Sequence, residues 1–319
     1  MYCLFEKIKQ CRSALVGWSR VTFGQSKSKI QEKQRLLEEL TKDNTVGHLE
    51  EIRRVKEEIN TILYHEEIHW RQRSRSIWLQ VGDKNTKFFH QKTSQRCQKN
   101  NILGIFDRDG VWQETDGGIA LVAENYFQQL FTSAIPSEMD QVLSLVDRVV
   151  TLEMNQSLLQ PYIVEEVQRA LFQMHPSKSL GPNGMSPFFF QNFWHTVGVD
   201  VTNAILSVLH LSHMLHKMNY THIVLIPKNN EPLHMIDFRP ISLENVIARI
   251  ISKVIANWLK LILPNVISDA QSAFVPDRLI TNNTTVVFEV LHRMRNKRSG
   301  KNGQMVVKLD ISKAYDRVE

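Results

Sequence analysis

The spacing of hydrophobic positions predicts a helix-rich chain whose signal sharpens toward the C-terminal half. From Ser26 to Trp70 the residues are rich in Glu, Lys, Gln and Leu and contain no proline. Leu49, Ile52, Val55, Ile59, Ile62 and Leu63 recur three and four apart, the period of a helix with one apolar face. Gly47 and the Asp43-Asn44 pair disfavour helical continuation, so two helices with a spacer role are expected here; the heptads are too few to require a partner-binding coiled coil. Ile102 to Trp112 reads as a hairpin whose turn is Asp107-Arg108-Asp109-Gly110. A helix is expected around 119–131, and 132–155 is less periodic and linker-like. Val164, Val167, Ala170, Leu171 and Met174 then form an amphipathic helix that must stop at His175-Pro176, because the Pro176 ring disfavours helical geometry in the residue before it.

Beyond that point a helix is predicted over 197–215, and Ile223-Val224-Leu225-Ile226, closed by Pro227, reads as a buried strand. The clearest element spans 243–262, with apolar residues at 243, 246, 247, 250, 251, 254, 255, 258, 259 and 262, a continuous helical stripe that core packing explains. Another helix is expected over 280–295. Met305 to Ile311 reads as a strand, with Ser312 able to cap a following helix. No internal repeat is evident.

Composition narrows the class. A chain of 319 residues, 42% hydrophobic and 23% charged, suits about two globular units. No apolar run approaches the roughly 20 residues that span a bilayer, and the first residues lack a signal-peptide layout, so no membrane partner is expected. Cys3, Cys11 and Cys97 are few and scattered, which suggests an intracellular protein, in nucleus or cytoplasm, without disulfides or a cysteine zinc site. The net charge of +6 is partly localised: Arg71, Arg73, Arg75, Lys84, Lys87, Lys92, Arg96 and Lys99 are opposed by Asp83 alone. A polyanion is the natural partner for such a cluster, since each neutralised phosphate releases counterions; a solvated basic linker is the other reading. Trp78, Phe88 and Phe89 interleave with these cations, as suits stacking on single-stranded bases, although the paired Phe residues equally suit anchoring a helix to its neighbour.

The chemistry-bearing motifs lie further on. Asp310 sits near the C-terminal end of an apolar strand, in Lys308-Leu309-Asp310-Ile311-Ser312-Lys313-Ala314-Tyr315-Asp316. Hard oxygen ligands in that position suit Mg²⁺ and in-line displacement at phosphorus, while a lone Asp there also serves as a cap or turn residue. Leu225-Ile226-Pro227-Lys228 and Asp237-Phe238-Arg239-Pro240-Ile241-Ser242-Leu243 offer a strand-borne Lys228 and an Arg239 in a rigid Arg-Pro setting. Both can grip phosphate through charge-assisted hydrogen bonds, or Arg239 can pair with Asp237 or Glu244. Gln271-Ser272-Ala273-Phe274-Val275-Pro276-Asp277-Arg278 and the Gly181-Pro182-Asn183-Gly184 turn complete the series.

In this order the motifs resemble the reverse transcriptase of non-LTR (LINE-type, plant-like) retrotransposons, over nearly the whole chain. The resemblance implies an α+β chain with three regions: 1–100, a helical basic linker between endonuclease and polymerase; 101–160, a hairpin plus helical connector; 161–319, the fingers and start of the palm of a right-hand polymerase. It implies Asp310 as a Mg²⁺ ligand, helped by the Ile311 carbonyl. Tyr315 becomes the aromatic that excludes a ribose 2′-OH, or else a core aromatic, and Lys228 and Arg239 become nucleotide-binding residues. Gln271 and Arg278 fall on the template side, and Arg73, Arg75, Lys84 and Lys87 in the nucleic-acid-binding segment. RNA template, DNA primer and dNTP are the implied partners. Asn183 stands where the family loop usually has Asp, and Asp277 where it usually has Gly, a residue that tolerates positive φ. No Asp-Asp pair occurs in the chain, so the family's aromatic-x-Asp-Asp motif is expected beyond Glu319, and little polymerase activity is expected of these residues alone. The competing expectation is a non-catalytic nucleic-acid-binding module, or a relict retrotransposon protein.

Overall fold

The computed structural model describes residues 2–42, 48–74, 86–133, 139–272, 275–297 and 305–309, except the side chains of Gln72, Arg73, Thr86 and Val142. In chain order, helices α1 (Tyr2–Phe23), α2 (Ser26–Lys42), α3 (Leu49–Ser74) and α4 (Thr86–Asn100) precede the short strands β1 (Ile105–Phe106) and β2 (Trp112–Gln113). Helices α5 (Asp116–Leu130), α6 (Met139–Leu143), α7 (Leu152–Leu158), α8 (Val164–Phe172), α9 (Pro187–Asn192), α10 (Trp194–Leu211) and α11 (His216–Asn219) come next. Strands β3 (His222–Pro227) and β4 (Phe238–Leu243) then lead to α12 (Val246–Val266) and α13 (Ile280–Asn296). The chain divides into two compact units that alternate in sequence: Met1–Thr115 with His175–Val197 and Leu215–Val246, and Asp116–Met174 with Gly198–Met214 and Ile247–Glu319.

In the first unit α2 packs on α3, and α3 on α4. The expected α3 stripe buries Val55 and Ile59, and Lys33 of α2 pairs with Glu58 of α3. Helix α1 falls within the region 1–100 expected to be helical, though no bounds were set for it; Leu4 and Ile8, one turn apart, are its buried positions. The 102–112 hairpin forms with Ile105 opposite Gln113 and Phe106 opposite Trp112. Asp107 closes its turn by accepting from the Asp109 and Val111 amides at 3.0 and 2.9 Å. Strands β3 and β4 make a second antiparallel pair, from His222 opposite Leu243 to Pro227 opposite Phe238. Among the described residues this sheet has two strands, both edges, so Pro240, which lacks an amide hydrogen, costs the ladder little. The expectation of a buried strand at 223–226 is corrected: Ile223 is 47% exposed and Val224 is also exposed, so the described residues leave the first half of the strand open.

A buried amide ties this unit together. Asn245, 1% exposed, accepts from the Asn183 amide at 3.0 Å. Its own NH₂ donates to the Met218 and Tyr220 carbonyls at 3.1 and 3.4 Å. The turn 181–184 therefore rests on the junction between β4 and α12. Gly181 makes the approach possible, since a Cβ there would lie 2.3 Å from the Glu244 carbonyl oxygen.

The second unit is helical. Val167, Ala170 and Leu171 of α8, Val201, Ala204, Ile205 and Val208 of α10, and Ile247, Ile250, Ile251 and Val254 of α12 are buried. The α12 stripe is thus buried over its first half, whereas Ile255 and Leu259 are exposed. Trp258 ties α12 to the start of α8 by donating to Glu166 at 2.6 Å, with the Tyr162 ring 4.4 Å from its own. Helix α13 forms as expected but has no buried residue. Residues 305–309, expected as strand, have no strand assignment, and Leu309 is 86% exposed. A strand needs a hydrogen-bonded neighbour, and among the described residues none lies beside them.

The Gly181→Ala variant is expected to lose about 1–3 kcal/mol of stability, because the new methyl meets backbone rather than a movable side chain. Urea titration of the variant against the native chain measures this; an unchanged midpoint would contradict the close packing.

Candidate nucleotide and nucleic-acid site

Lys228 and Arg239 are brought together by the register of β3 and β4. Arg239 faces Ile226 across the ladder, and the Lys228 amide extends the pairing to the Asp237 carbonyl at 2.8 Å. Side chains alternate along strands, so residues 226, 228 and 239 share a face, with 228 and 239 as diagonal neighbours. Their situations differ. Lys228 Nζ donates to the Ile236 carbonyl at 2.7 Å. Arg239 is exposed and has no ion pair among the described residues.

Asp237, weighed as its partner, is used elsewhere. One carboxylate oxygen accepts from the Leu233 and His234 amides at 3.1 and 2.9 Å. The other accepts from Asn229 at 3.3 Å. These hydrogen bonds, that of the His234 amide foremost, hold the carboxyl below the usual carboxylate range. The loop so shaped also meets the first hairpin: the Phe106 amide donates to the Leu233 carbonyl at 2.9 Å, and the Phe106 and His234 rings lie 5.5 Å apart.

The turn 181–184 shows why Asn183 serves in place of Asp. Its side-chain oxygen accepts from the Met185 amide at 3.1 Å, which a carboxylate would do equally. Asp277 adopts the left-handed conformation that glycine favours, with φ at 63°, so the turn does require positive φ. Arg278 comes directly after it and turns its guanidinium onto the backbone. It donates to the carbonyls of Ser268 at 2.6 Å, Gln271 at 2.8 Å and Ile267 at 3.4 Å, and pairs with Asp269 at 3.0 Å. At 19% side-chain exposure it acts as a clip on residues 267–271.

In the basic segment, Lys87, Lys92, Arg96 and Lys99 are exposed on α4, a helix whose sequence contains no acid. Of the paired aromatics, Phe89 is fully buried, which supports the helix-anchor reading for that residue. Trp70 and His90 lie with ring centroids 3.7 Å apart. Arg75, Lys84, Asp310, Ile311, Tyr315 and the Ser312 cap fall outside the described residues, as do Trp78 and the side chain of Arg73. Among the described residues no group of three His, Cys, Asp or Glu side chains could hold a metal ion, and no helix is long and apolar enough to cross a membrane. Asn245 is the site-building residue that sequence reasoning missed. Its signal was a polar residue within the first turn of the stripe expected over 243–262, a helix that in the structure starts at Val246, with Leu243 in β4.

Comparisons with known proteins bear on the same segments. Residues 226–319 match the family described as reverse transcriptase (RNA-dependent DNA polymerase). Over 249 residues, 77% of this chain, the sequence is 30% identical to the "Transposon TX1 uncharacterized 149 kDa protein" of Xenopus laevis, covering 19% of that protein. Over 199 residues, 60% of this chain, it is 27% identical to the "Retrovirus-related Pol polyprotein from type-2 retrotransposable element R2DM" of Drosophila melanogaster, covering 17% of it. The chain spans about a fifth of the length of these relatives.

The geometry sets two expectations for variants. Replacing Asp277 by glycine should raise stability by about 1 kcal/mol, because it relieves left-handed strain, read as a higher urea midpoint. For Asp237, a folded-state pKa below the unfolded value means a contribution fully present above the unfolded carboxylate pKa and lost as pH falls through the folded one. The Asp237→Asn variant should therefore be less stable than the native chain at neutral pH, and the gap should narrow in acid; a gap independent of pH in thermal melts would contradict the carboxylate's role.

Proposed function

This chain carries reverse transcriptase sequence of the non-LTR retrotransposon kind, and from that premise we propose that it contributes the nucleotide- and template-binding side of an RNA-directed DNA polymerase. The match over 226–319, which takes in Lys228, Arg239, Gln271, Arg278 and Asp310 in order, is the observation that carries this reading. Residues 161–319 are read as fingers and the start of the palm, 101–160 as a connector and 1–100 as a basic helical linker.

Each residue then has a role its chemistry suits. Arg239, exposed and without an ion pair among the described residues, orients the phosphates of an incoming dNTP through a planar fork of donors. Lys228 adds charge on the same face of the hairpin. Arg278 holds residues 267–271 in shape so that Gln271 can face the template. Tyr315 limits space beside the sugar, a discrimination that rests on a clash with a 2′-OH. Asp310 supplies a hard carboxylate, and the Ile311 carbonyl a second oxygen. Mg²⁺ bound there would neutralise charge at the reacting phosphate. One such carboxylate without an adjacent pair holds metal weakly, so the 319 residues by themselves are proposed to have little polymerase activity. The exposed cations of α4 favour a second reading, in which the chain binds RNA or DNA without catalysis.

Primer extension on an RNA template, with Mg²⁺ and dNTP, separates these. The expected result is salt-sensitive binding of the template–primer with incorporation near background. Robust incorporation that Asp310→Ala abolishes would overturn the proposed inactivity and leave the polymerase reading standing. Failure to bind template–primer at low salt would overturn the reading itself.

A further inference from the structure

A cavity of about 380 Å³ has no residue of β3 or β4 in its lining. It is walled by α1, by the turn at Pro182-Asn183 and by the segment around α11, with Asn245 among its lining residues. Its place is fixed by Arg12, whose guanidinium donates to the Pro182 carbonyl at 3.2 Å, and by the Asn183–Asn245 hydrogen bond at 3.0 Å. The lining combines Phe5 and Tyr220 with Lys9, Arg12, His216 and Lys217, and it includes no carboxylate. Lys9, Arg12 and Lys217 are exposed, and Lys217 Nζ lies 6.0 Å from the centre of the Phe5 ring. Asn245 spends both ends of its amide on the backbone. Recognition is therefore left to the rim.

Cations without opposing acids attract an anion, and aromatic surface beside them gives a flat group a place to stack. The two together fit a nucleotide, with the base on the rings and the phosphate on the ammonium groups. The volume falls within the range of small-ligand pockets, roughly 300–1,000 Å³. We propose that this cavity takes one nucleotide of a single-stranded RNA, its base against Phe5 and Tyr220 and its phosphate on Lys9 and Lys217. The inference rests on the nucleic-acid reading above but assigns a site that neither the Asp310 motif nor the 73–87 segment includes.

The test is fluorescence anisotropy of a labelled oligouridylate of a dozen nucleotides with the full chain over a salt series. The native chain is expected to bind, and Lys9→Gln with Lys217→Gln to weaken binding about tenfold. That double variant should also lower the slope of log affinity against log salt by about 0.7, the value for the one single-strand phosphate no longer neutralised. Phe5→Leu with Tyr220→Leu should weaken binding about tenfold with the salt slope unchanged. Lys260→Gln with Lys297→Gln removes the same charge from exposed positions elsewhere and should leave binding intact. Since Lys9 and Lys217 are exposed, their double variant keeps the fold, which circular dichroism checks. Native-like binding by that variant, or equal loss in the remote-charge control, would overturn the cavity assignment while the nucleic-acid reading stands. Tighter binding of uridine monophosphate than of the oligouridylate, lost in the same double variants, would identify a free nucleotide as occupant and overturn the RNA assignment. No binding by the native chain would defeat both readings.

Discussion

The placement of the functional segments in the first unit depends on one buried side-chain amide. Asn245 satisfies the Asn183 amide and the carbonyls of Met218 and Tyr220 at once. Removing it would leave the buried Met218 carbonyl without this partner, at a cost of about 1–3 kcal/mol, and expose the part-buried Asn183 amide and Tyr220 carbonyl to the same loss in smaller measure. An apolar side chain of similar size would fill the space and still leave those groups unpaired. The turn at 181–184, the stretch after α11 and the entry to α12 are therefore specified together. Gly181 is the matching concession, a residue without a side chain where two backbones touch. The β3–β4 hairpin, which ends at Leu243, inherits its base from this junction.

Around that frame the charged residues divide by task. Asp237 organises the hairpin loop through backbone amides, Lys228 braces the same loop through the Ile236 carbonyl, and Arg278 clips the Ser268 and Gln271 carbonyls. Arg239 and the α4 cations are exposed instead. A guanidinium bound to several carbonyls gives up donors that a phosphate would need, so position in a matched motif and availability for a ligand are separate properties. Here Arg239 has both, and Arg278 has the first.

The helical stripes of α3, α8 and α12 were legible because their period depends on local spacing alone. The first hairpin was legible from Asp107-Arg108-Asp109-Gly110, whose turn chemistry is equally local. Misreadings fell where distant chain decides the outcome. Ile223-Val224-Leu225-Ile226 has the composition of a buried strand, but burial depends on a covering layer that composition cannot supply. Met305 to Leu309 has strand-like residues and lacks a strand assignment for the same kind of reason. Helix α1 was expected within a helical 1–100 region but without bounds, because its buried positions, Leu4 and Ile8, make too short a stripe to mark them. Asn245 was invisible as a hub because its three partners lie 25 to 62 residues away. The candidate site was legible as an ordered series of words. Which of its cations are spent on the protein's own backbone required coordinates.

Helix α13 is joined to the loop before it by the Ser272 hydroxyl, which donates to Asn283 at 2.8 Å, and has little else to hold it among the described residues. Its 17 residues bury none of their side chains, so its order rests mainly on its own backbone ladder. A ladder of that length is only marginally stable in water. Such a segment opens independently of the rest, and its amides should exchange with deuterium far sooner than those in the first half of α12, where Ile247, Ile250 and Val254 are locked in the core.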